Sequence, residues 1–296
     1  MQRIKESRSL SFLVVTMVYV AAAAAGTAFF LKLPFEYWLN LLIADIAATV
    51  VVFAFSVIFG NASVYDPYWS VQPIVIVTAF ALSARLTSAR ALLIVAIWFW
   101  GVRLTANWAY TFGGLNHQDW RYTMLREKTG KFYFAVNFFG IHLFPTLIVY
   151  ACVLPAVVVF RHETVSNIGS VVFFLMSVGS VVLQTISDTQ MHRFRRQKTG
   201  GLINDGLWKN SRHPNYLGEI LMWWGVALSA VSVMPSYWFL CAGALANTLM
   251  FLFVSIPMAE RRQGEKPGFA EYKSRTRMLL PVPKAIARDA AAPKRS

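Results

Sequence analysis

The chain has 296 residues, 56% of them hydrophobic and only 14% charged, with mean hydropathy +0.49 and a formal charge of +14. A soluble domain of this length cannot hide so much apolar surface and carries nearer a quarter charged residues, so the composition excludes that class. Nor does the positive charge read as a nucleic-acid module. Basic residues gather at the start (Arg3, Lys5, Arg8), between Arg193 and Arg212, and after Arg261, with no aromatic-basic motif around them.

Apolar windows lie at 11–32, 39–59, 71–84, 89–108, 133–159, 168–187, 217–234 and 237–257. Only helices satisfy their own backbone in lipid, so the expected fold is an all-α, polytopic integral membrane bundle with eight segments. The third window is short and only Met234, Pro235 and Ser236 divide the last two, which makes six or seven the alternatives. Charge favours eight: with the N-terminus inside, the basic stretches 109–132, 188–216 and from 258 onward all face the cytoplasm, as does the C-terminus. The first window contains the run Ala21 to Ala25 and imitates a signal peptide, but its continuation through Phe29, Phe30 and Leu31 reads as a retained helix. Cys152 and Cys241 fall in apolar windows, so neither a disulfide framework nor a metal site is expected. One domain is expected over 1–281, with 282–296 as a flexible basic tail.

Polar clusters interrupt this background. Tyr65-Asp66-Pro67-Tyr68-Trp69-Ser70 stands at the entrance to the third window, as an interfacial aromatic belt or as a site lining. Arg103 and Asn107 are one turn apart on one helical face; they make a polar pocket wall, or Arg103 snorkels to the interface. In Asn116 to Tyr122, Asp119 and Arg121 order a loop or contact a cofactor, while Trp120 and Tyr122 suit the headgroup layer. His117 has no second ligand at a metal-binding spacing.

Gln184, Asp188, His192 and Arg195 recur at four, four and three residues, which makes one polar helical face running out of the sixth window. Asp188 could accept from an adenine or ribose and Arg195 could meet a phosphate; the alternative is a salt bridge that holds the following loop. Pro214 suits a first helical turn, which puts Arg212 and His213 just before a helix start where the dipole favours anions. Asn215 donates and accepts, Tyr216 offers a ring and a hydroxyl, Gly218 permits close approach, and Glu219 fixes an arginine or amide. A plain helix cap is the competing reading. Towards the C-terminus, Glu260-Arg261-Arg262 and Phe269 to Arg277 either close over phosphates or set topology, and Tyr272 packs on a cofactor or supplies a hydroxyl.

Together YDPYWS at 65–70, GVRLTANW at 101–108, HQDWRY at 117–122, SDTQMHRFR at 187–195, SRHPNYLGE at 211–219 and FAEYKSRTRMLLP at 269–281 resemble the bacterial DUF1295 branch of the steroid 5-alpha-reductase-like membrane enzymes. The SRHPNYLGE element also resembles one in isoprenylcysteine carboxyl methyltransferases, a distantly related group. What the resemblance implies is a helical membrane fold in a bacterial inner membrane, a cofactor site toward the cytoplasm, and NADPH-dependent reduction of an activated carbon–carbon double bond in a lipid-like or steroid-like substrate. It carries cofactor contacts onto Gln184, Asp188, Arg195 and Asn215. It gives no match to the Gln-Glu/Tyr arrangement that polarises substrate in steroid reductases, and Glu260 and Arg261 stand where those enzymes have a histidine. The candidate cofactor contacts are then Arg103, Asn107, Asp119, Arg121, Gln184, Asp188, Arg195, Arg212, His213, Asn215, Tyr216, Glu219 and Tyr272, and Tyr68, Tyr122 and Tyr216 are the candidate hydrogen-bond or proton donors. The rival expectation is an S-adenosylmethionine-dependent membrane methyltransferase, followed by a noncatalytic scaffold or transporter.

Overall fold

The computed structural model describes residues 2–197 and 200–284; of the expected tail, 285–296 lie outside the described residues. It is 81% helical with no strand among the described residues, an all-α polytopic bundle. In chain order the main helices are α1 (Arg8–Lys32), α2 (Tyr37–Phe59), α3 (Tyr68–Ser83), α4 (Ser88–Thr111), α5 (Trp120–Arg161), α6 (Ile168–Arg196), α7 (Pro214–Val233), α8 (Pro235–Gly264) and α9 (Phe269–Arg275). Seven of these are long and apolar enough to cross a membrane; α3, the short third window, has 16 residues and falls below that length. Two long helices change pitch part-way, α5 through a π-helical segment at Val136–Leu143 and α8 through a 3₁₀ start at Pro235–Cys241 and a π segment at Phe251–Ser255.

The residues cluster in two compact units. The first comprises 1–178 and 222–247, the second 179–221 and 248 onward.

In the first unit, lipid tails are as apolar as leucine, so helices associate through close packing and polar contacts rather than through water exclusion. Small residues mark the crossings. A Cβ on Gly26 of α1 would lie 3.1 Å from the Ala44 carbonyl of α2, and one on Gly101 of α4 would lie 2.7 Å from the Ser70 carbonyl of α3. Between these crossings Val15, Val18, Ala22, Val52, Phe59, Tyr65, Tyr68 and Leu115 form one core cluster. Large apolar side chains such as Leu13, Met17, Val20 and Leu82 stay exposed, as lipid-facing surfaces require. Loops are pinned by side chains: Asn61 Nδ2 donates to the carbonyls of Leu115 and His117, and Asp119 caps α5 by accepting from Arg121 N at 2.8 Å. Buried Arg90 ties the end of α5, donating to the carbonyls of Val159, His162 and Arg85.

In the second unit, Gly218 on the first turns of α7 lies against α6, where a Cβ would be 2.5 Å from Gln184 Cγ and 2.8 Å from the Ser180 carbonyl. The stretch before α7 is held by the chain after α9. Arg212 N donates to the Arg277 carbonyl at 2.9 Å, His213 N to Met278 at 3.1 Å, and Arg277 N to Asn210 at 2.9 Å, around a parallel bridge between Ser211 and Arg277.

Candidate functional site

Each unit contains a polar centre. In the second, the expected polar face is helical along α6: Gln184 is buried at 2% exposure and Asp188 is half-buried one turn further. Because Gly218 lets α7 approach α6 backbone to backbone, Asn215 reaches that face, and its Nδ2 donates to Asp188 Oδ1 at 3.3 Å. His213 stacks on Tyr216 with ring centroids 5.2 Å apart, and Tyr216 leans on Phe251 at 4.9 Å. Glu219 is buried on the inner side of the same turn.

Arg212 is firmly engaged. Its Nε lies 2.6 Å from Glu260 Oε1 and its Nη1 donates to the Thr276 carbonyl at 2.8 Å, while Lys273 Nζ reaches the other Glu260 oxygen at 2.7 Å. His213 Nε2 is 3.4 Å from Glu260 Oε1; burial pushes this imidazole below its ordinary pKa, with Glu260 opposing. The Tyr272 hydroxyl donates to the Trp208 carbonyl at 2.6 Å and also faces that of Ser211, and burial pushes it up to about 12. Arg212 and Tyr272 thus hold the approach to α7, and Asp188, Asn215 and Tyr216 are what that approach presents.

A second feature of this unit is excess charge. Residues 179–221 and 248–296 carry sixteen Lys and Arg against seven Asp and Glu. The Lys266 ammonium sits below its usual pKa, first because of partial burial and then because Arg262 and Arg195 crowd it. Arg195 lies two helical turns beyond Asp188 along α6. Like charges gathered in this way favour a bound polyanion. The unit therefore offers a carboxylate and amides that could meet sugar or ring groups, and cations that could meet phosphates. S-adenosylmethionine carries a sulfonium and no phosphate.

The first unit holds the remaining candidates. Tyr122 Oη donates to Asp66 Oδ1 at 2.7 Å, and burial pushes the Asp66 carboxyl up to about 6. Arg121 grips Asp119 through Nε at 2.8 Å and Nη2 at 3.1 Å. Arg103 and Asn107 are both half-buried on α4. Tyr68 is buried, and its hydroxyl donates to Asp45 Oδ1 at 3.1 Å, while Gln72 Nε2 donates to Asp45 Oδ2 at 2.5 Å. Asp45 and Gln72 are absent from the sequence candidates. The signal that finds Asp45 is plain in retrospect: it is the one carboxylate inside the window 39–59, and an ionisable residue in a membrane span is functional by default.

Residues 52–276 match the family model described as a protein of unknown function, DUF1295. The chain belongs to the DUF1295 family. An uncharacterized protein of Schizosaccharomyces pombe is similar to this DUF1295 chain at 27% identity over 206 residues, covering 58% of each chain, so the match spans under two thirds of the yeast protein. No solved structure matches.

Proposed function

We propose that this chain is an NADPH-dependent reductase of an activated carbon–carbon double bond in an apolar, lipid-like or steroid-like substrate. The observation that carries this reading is the Asn215–Asp188 hydrogen bond in a unit with sixteen Lys and Arg against seven Asp and Glu. Asp188 and Asn215 hold sugar and amide groups of the cofactor, Gln184 adds a buried amide, and the cations receive the phosphates.

When bound, NADPH supplies the hydride for the electron-poor carbon of the double bond. The protein must polarise the conjugated oxygen and provide one proton for the neighbouring carbon, so that C=C becomes CH–CH. Tyr68, Tyr122 and Tyr216 are the candidates for this task. Tyr68 donates to the Asp45 carboxyl group. Tyr122 is committed to Asp66, and Tyr216 packs as a wall between His213 and Phe251. In the cell we place the protein in a bacterial inner membrane with both termini and the cofactor-binding unit toward the cytoplasm, where positive loops belong.

The test is equilibrium binding of NADPH and of S-adenosylmethionine to the detergent-purified full chain, alongside Asp188→Asn and Asn215→Ala. Selective NADPH binding that both variants weaken by about tenfold, or roughly 1.4 kcal/mol, supports the reading. Selective S-adenosylmethionine binding moves the chain to methyl transfer, and binding of neither overturns an enzyme of either kind.

A further inference from the structure

At 42 residues, α5 is about twice as long as a bilayer crossing requires. It is also not one continuous rod. Gly130 has φ +48° and ψ −117°, outside the right-handed helical region, so the ten residues Trp120–Thr129 form a helical piece of their own. No atom lies within 4 Å of where a Gly130 Cβ would stand, so the backbone angle rather than space calls for glycine there. Without those ten residues α5 is still long enough to cross, and Arg121, Arg126, Glu127 and Lys128 make the piece too polar for hydrocarbon.

The inner side of this piece is fastened to the loop at 60–66. Asp119 N donates to Ser63 Oγ at 2.9 Å, Tyr122 Oη to Asp66 Oδ1 at 2.7 Å and Arg126 Nη2 to the Gly60 carbonyl at 3.3 Å. Ala62 N donates in turn to Gln118 Oε1 at 3.1 Å. The charges are unevenly matched. Arg121 is paired with Asp119, but Arg126, Lys128 and Lys131 are exposed, and among the described residues none of them is ion-paired with a carboxylate. Glu127 is exposed and pairs with none of the three, and Asp66 accepts from Tyr122. Arg126 rests over the Tyr133 ring at 4.7 Å and Lys131 over that of Phe132 at 5.4 Å. Directly after Lys131, Phe132 is 66% exposed and Phe134 63%. Rings left so bare are the ordinary surface of a helix in lipid, so the cations stand where acyl chains give way to headgroups.

We propose that Arg126, Lys128 and Lys131 form a seat for an anionic phospholipid, its phosphate among the three cations and its acyl chains against Phe132 and Phe134. The cations fall on six consecutive residues, and their long side chains reach one headgroup. A guanidinium offers the phosphate two parallel donors, and each ammonium a compact charge. A zwitterionic lipid brings its own cation and gains little from three more. The rings distinguish a lipid from free phosphate, which has nothing to set against them. All parts of the seat belong to the first unit, and none depends on the reductase reading.

Native mass spectrometry of the detergent-purified full chain, titrated with dioleoyl phosphatidylglycerol or dioleoyl phosphatidylcholine, reads the affinity for each. Phosphatidylglycerol is expected to bind about 100-fold more tightly, from about fivefold for each cation. Joint replacement by Arg126→Gln, Lys128→Gln and Lys131→Gln should erase that preference. Lys32→Gln, Lys209→Gln and Lys284→Gln together remove as much charge elsewhere and should leave it intact. Inorganic phosphate in large excess should not displace the lipid. Equal affinity for the two lipids, equal loss in both sets of variants, or displacement by inorganic phosphate overturns the seat. Arg126 also holds the Gly60 carbonyl, so should the triple variant unfold, Lys128→Gln with Lys131→Gln replaces it. A preference reduced by about 25-fold agrees with the seat, and an unchanged one refutes it.

Discussion

Glu260→Gln separates a clamp from a cofactor contact. The native carboxylate holds Arg212, whose side chain is 9% exposed, at 2.6 Å, and Lys273, 52% exposed, at 2.7 Å. A charge-assisted bond to a group as sheltered as Arg212 contributes about 1.5–3 kcal/mol, and the exposed Lys273 contact about 0.5 kcal/mol. Glutamine keeps the volume and one oxygen, and Arg212 keeps the Thr276 carbonyl, so part of the arrangement survives. The expected destabilisation is about 2 kcal/mol, which lowers the melting temperature by roughly 4–8 °C. Intrinsic-fluorescence melting of the detergent-solubilised protein measures it, since Trp208 lies in the loop that Arg212 restrains. NADPH affinity, taken well below the melting temperature, should stay the same or weaken. If Arg212 were instead a phosphate ligand held back by Glu260, freeing it would tighten binding. A melting point lowered by less than about 1 °C, or an affinity improved by about tenfold, refutes the clamp.

Gly218→Ala should separate α6 from α7, because its Cβ would stand 2.8 Å from the Ser180 carbonyl and 3.3 Å from Gln184 N, backbone atoms that yield little. The overpacking costs about 1–3 kcal/mol and should weaken NADPH binding by stretching the Asp188–Asn215 contact; a stable variant with native affinity contradicts the packing argument. Asp66 gives a pH dependence. Burial raises its folded pKa to about 6, above the ordinary carboxylate range, so the folded state binds the proton more tightly. That contribution is fully present below about pH 4 and is lost as the pH rises through about 6. Asp66→Asn should flatten the melting temperature across that window, and an unchanged slope would show that another group sets it.

The helices were legible because periodicity and length in lipid leave little choice, and where boundaries moved the causes are local. The window opening at 133 belongs to a helix that starts at Trp120, since Asp119 caps a polar stretch, Trp120–Thr129, that hydropathy reads as loop. The polar face from Gln184 to Arg195 could be read directly from its spacing, and so could the helix start at Pro214. Partners distant in sequence could not. Nothing near Arg90 announces carbonyls 69 and 72 residues away, and nothing near Arg212 announces Glu260, 48 residues on. Asp45 was available to the eye, but its value depends on Tyr68 and Gln72, whose side chains reach it from α3 across 23 and 27 residues of sequence.

Hydrogen-bond satisfaction separates the polar groups that hold this protein from those that can work. Arg90 directs its guanidinium at backbone carbonyls, Tyr272 at two more, and Ser211 Oγ at the Leu279 carbonyl. Backbone carbonyls do not titrate or rotate away, so these contacts have one stable arrangement and fix the fold. Along α2 the pattern differs. Tyr68 donates to Asp45, Thr49 and Thr146 meet oxygen to oxygen at 3.1 Å, and the acceptors on His142 and Asn137 have no donor among the described residues. Leaving a buried acceptor without a donor costs about 1–3 kcal/mol. Valine at positions 49 and 146 would add to that cost, because the buried Tyr65 hydroxyl would lose the Thr146 oxygen it meets at 2.9 Å.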